Sequence, residues 1–344
     1  MASMTSFLKV TNDDPRPKQF LRTQACQFET TYSASKSLKI SKRFGRAVRN
    51  ILRAKNDSEN LQLDLNEIYD WARKYNMAFN DDKFRALRYG ENSVLKTMTK
   101  YRDPGGGFIK EDSSVRDLGV AMSNDLCFDL HIENIINQCK KKIGWILRTF
   151  YSRDALTMKT LFKSLILSIL DYCSPPFHPT LSASTSIEIE SIQRAFTRRI
   201  LNMKELNYRD RLKMLNMRSV ERRRGRFIII YMFKILHKLV PNPGIEFKQS
   251  NRNGITALVP IVPSGIPCAV KKLKYHHFNF YGPRLFNLLS LDLRNFSPMG
   301  HDLVFSFKNK LDQILTTIPD QPTVYGLQRS ATSNSLTDQI YYMT

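Results

Sequence analysis

The sequence predicts a mainly α chain with a small β portion, and three observations predict it. From residue 131 onward apolar residues recur at three- and four-residue steps over several long stretches, the period of amphipathic helices. Two short runs, Phe84–Tyr89 and Val115–Met122, read as strands. Proline pairs and Pro/Gly-punctuated stretches close the helical runs.

Residues 1–38 are polar and aperiodic, broken at Asp13-Asp14-Pro15-Arg16-Pro17, and read as a disordered leader. Lys39 to Lys55 carry seven basic residues and no acid. Behind Asp57 and Ser58 as caps, Leu61, Leu65, Ile68, Trp71 and Tyr75 keep helical spacing, and this helix stops near Asn76. Between the two strands, Asp103-Pro104-Gly105-Gly106-Gly107 predicts a turn or hairpin loop. His131–Phe150 places Ile132, Ile135, Ile136, Cys139, Ile143 and Ile146 on one stripe. Leu156–Cys173 follows, ended by Pro175-Pro176, and then Ile187–Met203, Tyr208–Leu215 and Ser219–Val240, the last ended by Pro241 and Pro243. Asn242–Pro267 reads as loop or linker, Asp302–Thr317 as a last helix stopped by Pro319, and the Ser/Thr/Asn-rich end as a flexible tail.

The chain has 344 residues, enough to bury a real core, with 53 Lys and Arg against 31 Asp and Glu, a net charge of +22. Such an excess points to a polyanionic partner, nucleic acid or an anionic surface. Five scattered cysteines form no CxxC and no zinc spacing, which reads as reduced intracellular thiols. The most apolar runs, Leu161–Leu170 and Phe227–Phe233, are too short for a membrane span, and the first residues lack a signal-like apolar core. A nuclear or cytoplasmic protein is expected.

The charge is concentrated. Ser191–Lys238 holds 14 Lys and Arg against three acids, a net +11 and half of the chain's total. On helices this density neutralises phosphates whatever the base sequence. Arg194, Arg198, Arg199, Arg209, Arg211, Arg222, Arg223, Arg224 and Arg226 are therefore the candidate nucleic-acid contacts, with a solvated helix face as the alternative. The aromatics among them, Phe196, Tyr208, Phe227 and Tyr231, share faces with Ile and Leu and read as core.

Catalytic groups are harder to find. Two-metal phosphoryl chemistry needs clustered carboxylates, and the adjacent aspartate pairs are Asp13-Asp14 and Asp81-Asp82. The second follows an amphipathic helix and precedes Lys83, where a helix-to-strand turn is the plainer reading. The six histidines have no HExxH spacing, no GxSxG is present, and Asp103–Gly107 lacks the Lys and helix of a phosphate loop. Composition and spacing stop at a basic, mostly helical protein that binds polyanions and expects no metal or cofactor.

Several runs carry a resemblance. Leu61-Gln62-Leu63-Asp64-Leu65, Trp71-Ala72 and Asn76-Met77-Ala78-Phe79-Asn80 with Lys83 are followed by Leu118-Gly119-Val120, Met122-Ser123 and Asp125-Leu126. Arg148-Thr149-Phe150, Leu170-Asp171-Tyr172-Cys173-Ser174-Pro175, Ile192-Gln193-Arg194 and Tyr208-Arg209-Asp210-Arg211-Leu212 come next. Leu285-Phe286-Asn287, Phe307-Lys308, Leu311-Asp312 and Ile318-Pro319-Asp320-Gln321-Pro322 close the series. In this order, over roughly residues 39–330, they resemble the C-terminal part of reverse transcriptases of non-LTR, jockey-like retrotransposons.

The resemblance implies the end of a polymerase palm at 39–125, a helical thumb-like region at 126–240, a linker at 241–270, a C-terminal extension at 271–320 and a flexible tail at 321–344. It implies binding of RNA, DNA or an RNA–DNA hybrid, and a missing fingers–palm part as a further partner. It also implies an inactive site, because Lys36 and Ser37 stand where the family's metal-binding aspartates belong; a Lys repels Mg²⁺ instead of holding it. Mg²⁺ is thus expected for the intact family and not for this chain. Lys83 resembles a residue near the triphosphate, or is an exposed Lys after a helix. Leu118, Gly119 and Val120 resemble the turn that grips the primer end, or form an edge strand. The reading from outside this family is a non-catalytic basic helical scaffold or an anionic-membrane-surface protein.

Overall fold

The computed structural model describes residues 7–11, 55–80, 84–89, 100–125, 127–242, 245, 247–252, 255–260, 277–296, 302–324 and 335–342. They fall into two units, residues 1–131 with 242–244, and residues 132–241 with 245–344. The fold is mainly α with a small β portion.

In the first unit, β1 (Phe7–Thr11) pairs in parallel with β2 (Arg85–Tyr89), which pairs in parallel with the short β3 (Lys110–Glu111). The strand at Phe7–Thr11 departs from the reading of 1–38 as a disordered leader at those five residues, and the rest of 1–38 lies outside the described residues. Between β1 and β2 lies α1 (Lys55–Lys74). Leu61, Leu65 and Ile68 bury as the spacing predicts, with Tyr69, against Phe84, Ala86 and Tyr101. The stripe then continues through Ala72, not Tyr75, which is exposed. Asn76 ends the helix at φ 51°, where the Met77 N–H bonds Ala72 O and the Asn76 N–H bonds Arg73 O, a Schellman stop. The Asp103–Gly107 turn forms as expected, with the Gly107 N–H donating to Asp103 Oδ1 and the Asp103 N–H donating to Gly107 O.

Val115–Met122 is not one strand. It splits into β4 (Ser114–Asp117) and β5 (Val120–Ser123), an antiparallel hairpin whose tip is Leu118-Gly119. Asp117 pairs with Val120, and both tip residues have positive φ, 46° and 86°. This is the two-residue turn that matches the strand twist. Val115, Val120 and Met122 face inward while Leu118 is 54% exposed.

The division between units falls within α2 (Asp129–Thr149). Next come α3 (Ala155–Leu161), a π-helical stretch at Phe162–Leu167 and α4 (Ser168–Asp171), so the predicted Leu156–Cys173 helix carries a wide turn in its middle. Cys173 turns the chain at φ 53°, and Pro175 and Pro176 open α5 (Ser174–Phe177) and do not merely end what precedes. After it come α6 (Ala183–Thr197), α7 (Tyr208–Met214) and α8 (Val220–Leu236), capped by Ser182, Asn207 and Ser219. The predicted end of α8 at Val240 moves back because Lys238, at φ 55°, makes a Schellman stop.

The 241–270 linker contains a hairpin, β6 (Phe247–Arg252) and β7 (Ile255–Pro260). It does not separate two bodies. Ile228, Ile229, Met232 and Phe233 of α8 share one apolar core with α9 (Phe278–Asn287), α10 (Leu291–Arg294) and α11 (Leu303–Thr317). Phe233 and Phe307 stack at 3.7 Å. The tail is also corrected: α12 (Leu336–Tyr342) buries Leu336 in this core, and Val324 packs with Tyr208 and Leu212. Among the described residues no helix is long and apolar enough to cross a membrane.

Candidate nucleic-acid interface

α8 begins at a point of dense polar contact. Its first N–H groups have no partner inside the helix, and here each finds one. Val220 and Glu221 N–H donate to the two oxygens of Glu190, at 3.2 and 3.1 Å, and Arg222 N–H donates to Ser219 Oγ at 3.0 Å. The Ser219 N–H and hydroxyl donate to Asp320 at 2.8 and 2.6 Å, and the Tyr208 hydroxyl donates to Glu190. Burial raises the Glu190 carboxyl to about 8, against the pull of the Tyr208 and backbone donors.

The arginines that follow point four ways. Arg222 is buried and donates to Leu315 O and Pro319 O beside Asp320. Arg223 pairs with Asp171. Arg224, 1% exposed, donates to Leu170 O at 2.7 Å and lies over the Phe177 ring. Burial lowers its pKa to about 10, and burial together with Arg224 lowers His178 to about 3. Arg226 meets Asp312, which also takes Arg218. On α7, Arg211 is buried and donates to Thr197 Oγ1, Leu206 O and Arg194 O.

The nine arginines therefore do not form one surface. Arg211, Arg222 and Arg224 hold helices together from inside and cannot meet phosphate. Arg223 and Arg226 are half-buried and already paired with carboxylates. The acids that balance this row, Asp171, Asp312 and Asp320, lie outside the basic window, so local charge density overstated the free charge. Arg194 and Arg209 are half-buried, while Arg198 and Arg199 are exposed.

These last two stand at the end of α6 on the rim of an open depression of about 650 Å³. Leu147, Arg153, Leu201 and Lys204 also line it, and among the described residues no acid does. The chain turns there by short backbone bonds, Arg199 N–H to Phe196 O and Met203 N–H to Ile200 O, and Asn202 takes φ 61°. Arg153 fixes the opposite wall. Its guanidinium donates to Leu147 O, in the last turn of α2, at 2.6 Å and to Phe150 O just past the helix end, where the helix dipole favours a cation. Its own carbonyl accepts the Leu201 N–H at 2.8 Å.

No family model, curated protein or solved structure matches this chain.

Of the other candidate residues, Leu118 and Gly119 are the hairpin tip and Val120 is buried behind it. Lys36, Ser37 and Lys83, with Asp81-Asp82, lie outside the described residues. Among the described residues no three His, Cys, Asp or Glu gather as metal ligands. Arg153 escaped the sequence reading because it lies outside the basic window. Its signal was its place in the gap between two helical runs, where terminal carbonyls need donors.

Proposed function

We propose that this chain is the C-terminal part of a non-LTR, jockey-like reverse transcriptase which binds RNA or an RNA–DNA hybrid by its phosphates and does not polymerise by itself. The observation that carries the binding half is the depression at the end of α6, where Arg198, Arg199 and Lys204 are exposed together and no acid among the described residues lines the wall. Cations so placed, in a chain of net charge +22, attract a polyanion and release its counterions on contact. The ordered runs of resemblance support the family, as does a small β portion followed by helices. Lack of polymerase activity follows from Lys36 and Ser37 at the positions of the metal-binding aspartates.

The test is anisotropy of a labelled primed RNA–DNA hybrid with purified chain across a salt series. Log affinity should fall linearly with log salt, with a slope of about −0.9 or shallower per phosphate engaged. The double substitution Arg198→Glu/Arg199→Glu should remove most of the binding. A folded sample that binds no nucleic acid sinks the proposal, and incorporation of dNTPs with Mg²⁺ overturns the inactive reading.

A further inference from the structure

The depression is not lined by charge alone. Leu147 and Leu201 form part of its wall, and Leu201 keeps 63% of its surface in water although it is a large aliphatic side chain. A site that meets only phosphates needs donors and positive charge; apolar wall beside them does nothing for a phosphate and costs hydration. Its volume lies within the ~300–1,000 Å³ of clefts that enclose small ligands, the scale of a nucleotide and not of a duplex. Beside a stacked duplex the bases are hidden, whereas an unpaired base presents an apolar face as well as its charged backbone.

We infer that this depression seats an unpaired nucleotide of a single strand, with flanking phosphates on Arg198, Arg199 and Lys204 and the base against Leu201 and Leu147. This rests on the nucleic-acid reading above and narrows it from duplex backbone to unpaired strand. Arg153 is a positioning residue here. Three of its donor contacts go to backbone carbonyls, and it holds the Tyr151 linker and the Leu201 turn in register. The occupant is a nucleic acid strand and not a lipid surface, because Leu147 and Leu201 share one concave lining with Arg153, Arg198, Arg199 and Lys204 on the scale of a nucleotide.

The experiment titrates the full chain with three probes. These are labelled oligouridine RNA of about twelve nucleotides, within the ~4–16 that single-strand grooves track, an RNA–DNA hybrid of the same length, and inorganic polyphosphate as a base-free polyanion. Arg198→Glu/Arg199→Glu should weaken all three by about tenfold or more. Leu201→Ser, at an exposed position, should weaken only the oligouridine, by about five- to tenfold. Circular dichroism checks that each variant keeps its helices. If Leu201→Ser leaves the oligouridine unchanged, or weakens polyphosphate equally, the nucleotide seat is wrong while phosphate binding stands. If folded chain binds neither nucleic acid, or is captured only by anionic phosphatidylserine vesicles, both readings fall.

Discussion

Arg226 and Asp312 form a two-point ion pair, Nε to Oδ1 at 2.5 Å and Nη2 to Oδ2 at 2.8 Å, 86 residues apart in sequence. With Arg218 on the same carboxylate at 2.7 Å, one acid of α11 fixes the start of α8 at two places. Burial pulls the Asp312 carboxyl upward, but hydrogen bonds and charge from Arg226 and Arg218 outweigh it and hold the group below its ordinary value. The stability it contributes is present above the unfolded value near pH ~3.9 and is lost as pH falls through the depressed folded value. Asp312→Ala should cost about 2 kcal/mol in urea unfolding at neutral pH, the scale of charged hydrogen bonds lost together. Its difference from wild type should shrink in acid.

Glu190 works in the opposite sense. Its folded pKa, raised to about 8 from 4.5, means that the folded state holds the proton more tightly. Its contribution is full below about pH 4.5 and is lost as pH rises toward about 8. Melting temperature should therefore fall over that window, and Glu190→Gln, which mimics the protonated acid, should flatten the slope in calorimetry.

Charge reversal separates structural from exposed arginines. Arg224→Glu puts an acid beside the Leu170 carbonyl and the Phe177 ring, and should cost about 3–5 kcal/mol, the scale of an uncompensated buried charge. Loss of helical circular dichroism or aggregation is expected. Arg198→Glu, on the surface, should change stability by less than about 0.5 kcal/mol.

The Leu118-Gly119 tip holds a leucine at φ 46°, a region that costs an ordinary side chain ~1–2 kcal/mol. Leu118→Asn, suited to that turn, should stabilise the chain by roughly 0.5–1 kcal/mol in urea unfolding. A lower midpoint would show that the leucine side chain contributes more than its backbone costs.

Helices with one clean apolar stripe were legible from sequence, as Leu61, Leu65 and Ile68 show for α1. The elements that escaped have a different cause. α9 contains Gly282 and Pro283, residue types that disfavour a helix interior, yet Gly282 sits where a Cβ would come 2.8 Å from Met232 Sδ, so a small residue serves close packing. The β6–β7 hairpin was hidden by the punctuation around it, and α12 by a polar tail in which Leu336 is one of few apolar anchors. At the candidate site, helical period can say that Arg222 and Arg226 share a face. It cannot say which face is buried, because Asp171, Asp312 and Asp320 arrive from elements some 50 to 100 residues away.

Asn287, at the end of α9, receives the Leu258 N–H at 2.9 Å and returns its own amide proton to Leu258 O at 2.8 Å. One side chain thus plays the part of a neighbouring strand for a single residue pair. A passing chain that tried to extend the β6–β7 hairpin at Leu258 would find both groups occupied. The carboxamide is a plug against strand-by-strand growth, and an Asn287→Leu substitution would uncork it.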